Sequence, residues 1–171
     1  MKPLLSRLLT LTVIILSCCN VLSAREKFNF NEGWLLKLGD TKDSELAGAD
    51  DSRWTAVSLP RAWNEDEAFR LPCHDLSDSV VWYRKHFKLD NIIHRKYFIE
   101  FEGVKWAADV YLNGHKVGIS ENGVMAFGFD LSPYVKSGEN VIAVRVDNSW
   151  NYRERATNQR YQWNDKNFNA N

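Results

Sequence analysis

Cysteine is scarce where it could act. Of three cysteines in 171 residues, Cys18 and Cys19 lie in the first 24, leaving Cys73 alone in the rest of the chain. No intramolecular disulfide can be drawn, and Cys73 reads as a partly buried loop thiol. Four scattered His residues and no Cys pair give no zinc cage, so neither a metal nor another cofactor is expected. Charge of one sign is lacking too: 22 bases face 22 acids, and without residues 1–24, which carry Lys2 and Arg7 but no acid, the balance is −2. That excludes the electrostatic footprint of a nucleic-acid binder and gives nothing for a strongly anionic partner to meet. There is no helical stripe, no internal repeat, and no apolar run long enough to span a bilayer as a helix.

The beginning of the chain reads as a targeting segment. Met1-Lys2 and Arg7 supply positive charge, residues 8–16 are apolar or threonine, and Ser17-Cys18-Cys19 follows. Two processing routes compete. Ile15-Leu16-Ser17-Cys18 resembles the lipobox of bacterial lipoproteins, which makes Cys18 a lipidation candidate, although Leu16 stands where a small residue is usual. The other route is cleavage after Leu22-Ser23-Ala24. Both predict an exported protein, periplasmic or at the cell surface, touching a membrane only through a lipid anchor.

Residues 25–148 read as one domain with a real core. Period-two alternation and β-rich composition predict strands over 34–38, 54–59, 80–89, 97–102, 108–112, 116–119, 125–129 and 141–146. Within them Ile142, Val144 and Val146 are expected to face inward. Asn113-Gly114 marks a tight hairpin, because both residues tolerate positive φ. Eight short strands with turn chemistry between them imply an all-β fold, a two-sheet antiparallel β-sandwich of jelly-roll type, with a barrel ranked second. Trp34, Trp54, Trp82 and Trp106 fall in or beside these strands and are expected in the core or at its rim.

Two regions escape the strand pattern. Residues 61–79 form a long segment after Pro60, with a single helical turn as an option over 65–69, and loops of that length are often functional. Residues 149–171 combine Trp150, Tyr152, Tyr161, Trp163 and Phe168 with Arg153, Arg155, Arg160 and Asp165. Disordered tails are poor in aromatics, so these rings are expected to pack on the sandwich, on a neighbouring domain or on a sugar. The acids Glu65, Asp66 and Glu67, like Asp75 and Asp78, read as solvent-facing clusters. A general acid needs burial or a like charge to raise its pKa, and no catalytic residue is expected within the chain.

An ordered set of motifs resembles the N-terminal domain of glycoside hydrolase family 2 enzymes: β-galactosidases, β-glucuronidases and related exo-glycosidases. The set comprises Phe28-Asn29-Phe30-Asn31-Glu32-Gly33-Trp34, Leu59-Pro60-Arg61-Ala62-Trp63-Asn64, Val81-Trp82-Tyr83-Arg84-Lys85, Phe101-Glu102-Gly103-Val104, Asp109-Val110-Tyr111-Leu112-Asn113-Gly114, Asp130-Leu131-Ser132-Pro133-Tyr134 and Val144-Arg145-Val146-Asp147-Asn148-Ser149. The resemblance implies a jelly-roll sugar-binding domain ahead of an immunoglobulin-like domain and a (β/α)₈ barrel. In that family the barrel carries both glutamates of a retaining mechanism, about 5–5.5 Å apart, and a barrel alone needs about 250 residues. The expectation is therefore a truncated or fragmentary member, inactive alone, whose partners are a β-glycoside, with a galactoside as the working guess, and the downstream domains.

The resemblance also implies that an acidic or amide residue just before a Phe near the domain's end approaches the sugar. Asn167-Phe168 occupies that place, and Asp165 is the second choice. Trp63 and Asn64 are further sugar-contacting candidates, weighed against a Trp that merely plugs the sandwich edge. The alternative to an enzyme piece is a stand-alone carbohydrate-binding module or surface lectin.

Overall fold

The computed structural model describes residues 25–65, 79–123 and 125–149. Residues 25–30 carry no regular element and belong to a unit of their own ending at Phe30, and the β-structure lies in the second unit, from Asn31 onward. The strands are β1 Trp34–Leu38, β2 Thr55–Val57, β3 Val80–Leu89, β4 Phe98–Phe101, β5 Ala107–Leu112, β6 His115–Ser120, β7 Phe127–Asp130 and β8 Gly138–Asp147. They form a six-stranded sheet in the order β2-β1-β3-β8-β5-β6 and a two-stranded sheet of β4 and β7, with every pairing antiparallel. All described elements are strands, as expected of an all-β domain.

Antiparallel partners directly opposite each other share a face. Leu36, Tyr83, Val144, Val110 and Gly118 therefore form one row across five strands. This inner face looks toward the small sheet. A Cβ placed on Gly118 of β6 would lie 2.3 Å from the Phe129 ring of β7, so the glycine admits the ring. The alternation of β4 holds as expected, with Ile99 buried and Glu100 exposed.

The opposite face departs from expectation. β8 buries Val141 and Ala143 as completely as Ile142 and Val144. The cause is residues 39–54, a turn-rich segment that covers this outer face. Arg84, fully buried, donates from Nε to the Asp51 carboxylate at 2.9 Å and from one terminal nitrogen to the carbonyls of Ser44 and Leu46 at 2.6 and 2.8 Å. Arg145 holds the other end, with Nε and a terminal nitrogen on the two oxygens of Asp40 at 2.9 and 2.7 Å. Trp54 fills the space between, clustered with Trp82 and Ala143. The Lys37 ammonium and the Arg84 guanidinium each lie 5.6 Å from its ring centroid. Because Trp54 serves this plug, β2 begins only at Thr55 and is shorter than its sequence suggests.

The Asn113-Gly114 hairpin forms with φ of 53° and 86°. Its asparagine does more than turn the chain. Asn113 Nδ2 donates to Asn140 Oδ1 and to the Tyr134 carbonyl, both at 2.9 Å, and Asn113 Oδ1 accepts from Val141 N. Asn140 is fully buried and donates in turn to the carbonyls of Lys136 and Gly138. The pair locks the β7–β8 connection to the hairpin with its polar groups satisfied.

Candidate functional site

The strand registers bring several loops to one end of the sandwich. Gly39 N donates to Val80 O, Asn148 N donates to Ser79 O, and Asp147 lies opposite both Val80 and Ala107. Ser120 closes β6 opposite Ala108, and Phe101 closes β4 opposite Phe127. The turn at 102–106 and residues 121–123 therefore open here, and Ser79 and Ser149 lie here. Asp147 secures that exit: it accepts from Ser149 N at 3.0 Å and from Ser149 Oγ at 2.5 Å, while Arg145 donates to its other oxygen at 3.2 Å.

At this end Ile119, Ser120, Glu121, Asn122, Phe127 and Phe129 line an open depression of about 480 Å³. Its aromatic wall is braced from behind. Phe127 stacks on Phe101 with centroids 4.9 Å apart, and Phe129 meets Phe127 edge-on at 5.6 Å. The neighbouring turn is braced too. Gly123 adopts φ of +53°, its N–H donates to the Trp106 carbonyl at 3.1 Å, and a Cβ on it would press to 3.0 Å from the Trp106 ring. Glu121 and Asn122 are exposed, and among the described residues their side chains join no hydrogen bond or ion pair.

Trp63 and Asn64 are half-buried in a turn. Its backbone is tied to the sheet, since Tyr83 Oη donates to the Arg61 carbonyl at 3.3 Å and Arg61 pairs with Glu65 at 3.5 Å. Burial against this turn pushes the Tyr83 phenol up from its ordinary value. Neither Trp63 nor Asn64 is among the residues that line the depression. Asn167, Asp165, Cys18 and Cys73 lie outside the described residues, as does most of the expected turn at 65–69.

Every described acid with a displaced pKa is displaced downward. Asp40 is lowered chiefly by its hydrogen bond from Arg145. Burial raises Asp51, but hydrogen bonds from His86 and Arg84 outweigh it. Hydrogen bonds from Ser132 lower Asp130. Each of these three groups is thereby held in its ionised form near neutral pH. The described residues also contain no cluster of His, Cys, Asp and Glu able to hold a metal. Sequence reasoning missed the depression, although Phe127-Gly128-Phe129 opposite Gly118 gave a trace of it: two aromatics on one strand face need a small partner across the sheets.

Comparison with known proteins gives the frame for this site. Residues 63–171 match the family model described as glycosyl hydrolase 2 galactose-binding domain-like. A β-glucuronidase of Formosa agariphila is 40% identical over 135 residues, 74% of this chain and 14% of that protein. A β-galactosidase of Bacteroides ovatus is 37% identical over 141 residues, 78% of this chain and 17% of its own length. The solved β-glucuronidase 2 of Bacteroides uniformis, covalently bound to a cyclophellitol-6-carboxylate aziridine, superposes with a TM-score of 0.68 at 27% identity over 74% of this chain and 15% of that one. The chain thus spans about one-sixth of the length of these relatives. It belongs to the galactose-binding-domain-like family of glycosyl hydrolase 2 proteins.

Proposed function

We propose that this chain is the sugar-binding module of an exported exo-glycosidase. In that enzyme an immunoglobulin-like domain and a barrel follow the module, and the barrel hydrolyses O-glycosyl bonds with retention. One observation carries this reading. Relatives named β-glucuronidase and β-galactosidase align along most of this chain while the chain covers 14% to 17% of their length, which makes the match that of a module within a larger enzyme. The loop-bearing end is the face the module presents to the enzyme's entrance, since the turn at 102–106, Ser79 and Ser149 lie there. Asn167, or Asp165, and the rings of 150–171 are the residues assigned to the sugar and to the neighbouring domain.

The test compares two proteins. The chain alone is expected to release no nitrophenol from nitrophenyl β-galactoside or β-glucuronide, whereas the same chain joined to the coding sequence downstream of codon 171 hydrolyses one of them. Turnover by the chain alone, or a downstream frame encoding no such domains, overturns the proposal.

A further inference from the structure

We infer that Asn113-Gly114 is a latent deamidation site that the fold keeps shut, with Asn140 as its guard, so that deamidation makes an opening of this hairpin irreversible. The inference does not rest on the proposed glycosidase role. A glycine after an asparagine leaves the next backbone nitrogen unshielded by a side chain, and Gly114 is such a residue, at φ of 86°. In the reaction Gly114 N gives its proton to solvent base and attacks Asn113 Cγ, and the side-chain nitrogen leaves as ammonia. Water then opens the cyclic imide to an acid. The geometry opposes this step. Asn113 Nδ2, the leaving group, donates to Asn140 Oδ1 and to the Tyr134 carbonyl, both at 2.9 Å. Asn113 Oδ1 accepts from Val141 N at 3.0 Å, and Asn113 N donates to Val141 O at 2.8 Å. The amide group is thereby tied at both ends, and Cγ cannot turn toward Gly114 N until those bonds break.

The guard is itself fixed. Asn140 is fully buried, its Nδ2 donates to the carbonyls of Lys136 and Gly138 at 2.7 and 3.0 Å, and its Oδ1 also accepts from Lys136 N at 2.9 Å. Its amide cannot turn round to become a donor toward residue 113 without giving up all three. An ionised acid at position 113 only accepts hydrogen bonds, so it sets an oxygen against Asn140 Oδ1 and the Tyr134 carbonyl. Once lost, the lock is not remade. The chain carries its own comparison, since Asn122-Gly123 is a second Asn-Gly pair. Asn122 is exposed, and there the bond from Gly123 N to the Trp106 carbonyl, 3.1 Å, restrains the attacking nitrogen rather than the leaving group.

Peptide mass spectrometry of the full chain, held at mildly alkaline pH with and without guanidinium chloride, tests this. In denaturant the two pairs are expected to deamidate at comparable rates. In the native chain Asn113 should be slowed about a hundredfold, because three side-chain hydrogen bonds must break first, and Asn122 about tenfold or less. Asn140→Ala should speed native Asn113 about tenfold or more. Ile99→Ala, which truncates a buried residue of β4 and leaves the lock intact, should change that rate by less than about twofold. Asn113→Asp should lower the denaturant midpoint, and Asn122→Asp should leave it near the parent's. A native rate at Asn113 close to its rate in denaturant, equal slowing of the two pairs, or equal acceleration by Asn140→Ala and Ile99→Ala overturns the inference. The comparison within the parent chain needs no variant, so it decides the matter even where Asn140→Ala fails to fold.

Discussion

Gly118 shows how much can rest on one missing methyl group. It sits on an edge strand with the Phe129 ring where its Cβ would be. Gly118→Ala must push that ring off its place, and with it the Phe127 edge contact and the wall of the depression. The expected cost is about 1–3 kcal/mol, read as a lower urea midpoint with unchanged slope, and a variant as stable as the parent would contradict the packing. Asn113 is the other position where identity matters. Its left-handed conformation was legible in the sequence, because Asn-Gly between two apolar runs is a hairpin signal with a stated cause. The buried Asn140, which accepts one hydrogen bond from Asn113 and makes three more with Lys136 and Gly138, was not, because a polar residue beside Gly138 reads equally well as an exposed turn.

Among the elements, β3 is observed over the residues the sequence predicts, a run whose Val80, Val81, Trp82, Tyr83 and Phe87 favour the pleated strand. β7 begins at Phe127 rather than at residue 125, since Met125 is spent on the turn held by Trp106. β8 extends beyond its predicted ends and is buried on both faces. The reason is the cover of residues 39–54, whose polar, turn-forming composition carries no period that could announce it. Its attachment is ionic and leads to two predictions. Arg84→Ala leaves the carbonyls of Ser44 and Leu46 without this donor and Asp51 with His86 alone, at an expected cost of about 3–5 kcal/mol. Acid should release the cover as well. Asp40 and Asp51 have folded pKa values below 3.8, so their stabilisation is complete above that value and is lost as pH falls through the lowered ones. Denaturation measured from about pH 5 down to about pH 2 should show stability falling in the parent and a shallower slope in Asp40→Asn; equal slopes would count against the ion pair.

At the scale of the whole molecule, the all-β sandwich and the family were legible because ordered motifs mark turns and strand ends, whose backbone demands are strict. The depression was less so, since its lining comes from β6, β7 and the turn between them and only the fold brings the pieces together. Export is the remaining proposal at this scale. Expression in a bacterial host should deliver the protein outside the cytoplasm. Its mature mass should correspond either to a start at Arg25 or to a lipid-modified Cys18, and a cytoplasmic protein with residues 1–24 intact would refute it.

The position of the exit has a mechanical meaning. Ser149 continues from β8, which is laced to β3 through ten residue pairs and to β5 through six. A pull applied past Ser149 along that strand would load both seams in shear, sharing the force among many bonds at once, rather than peel a margin strand one bond at a time. Whatever is tethered there is anchored to the stiffest part of the scaffold.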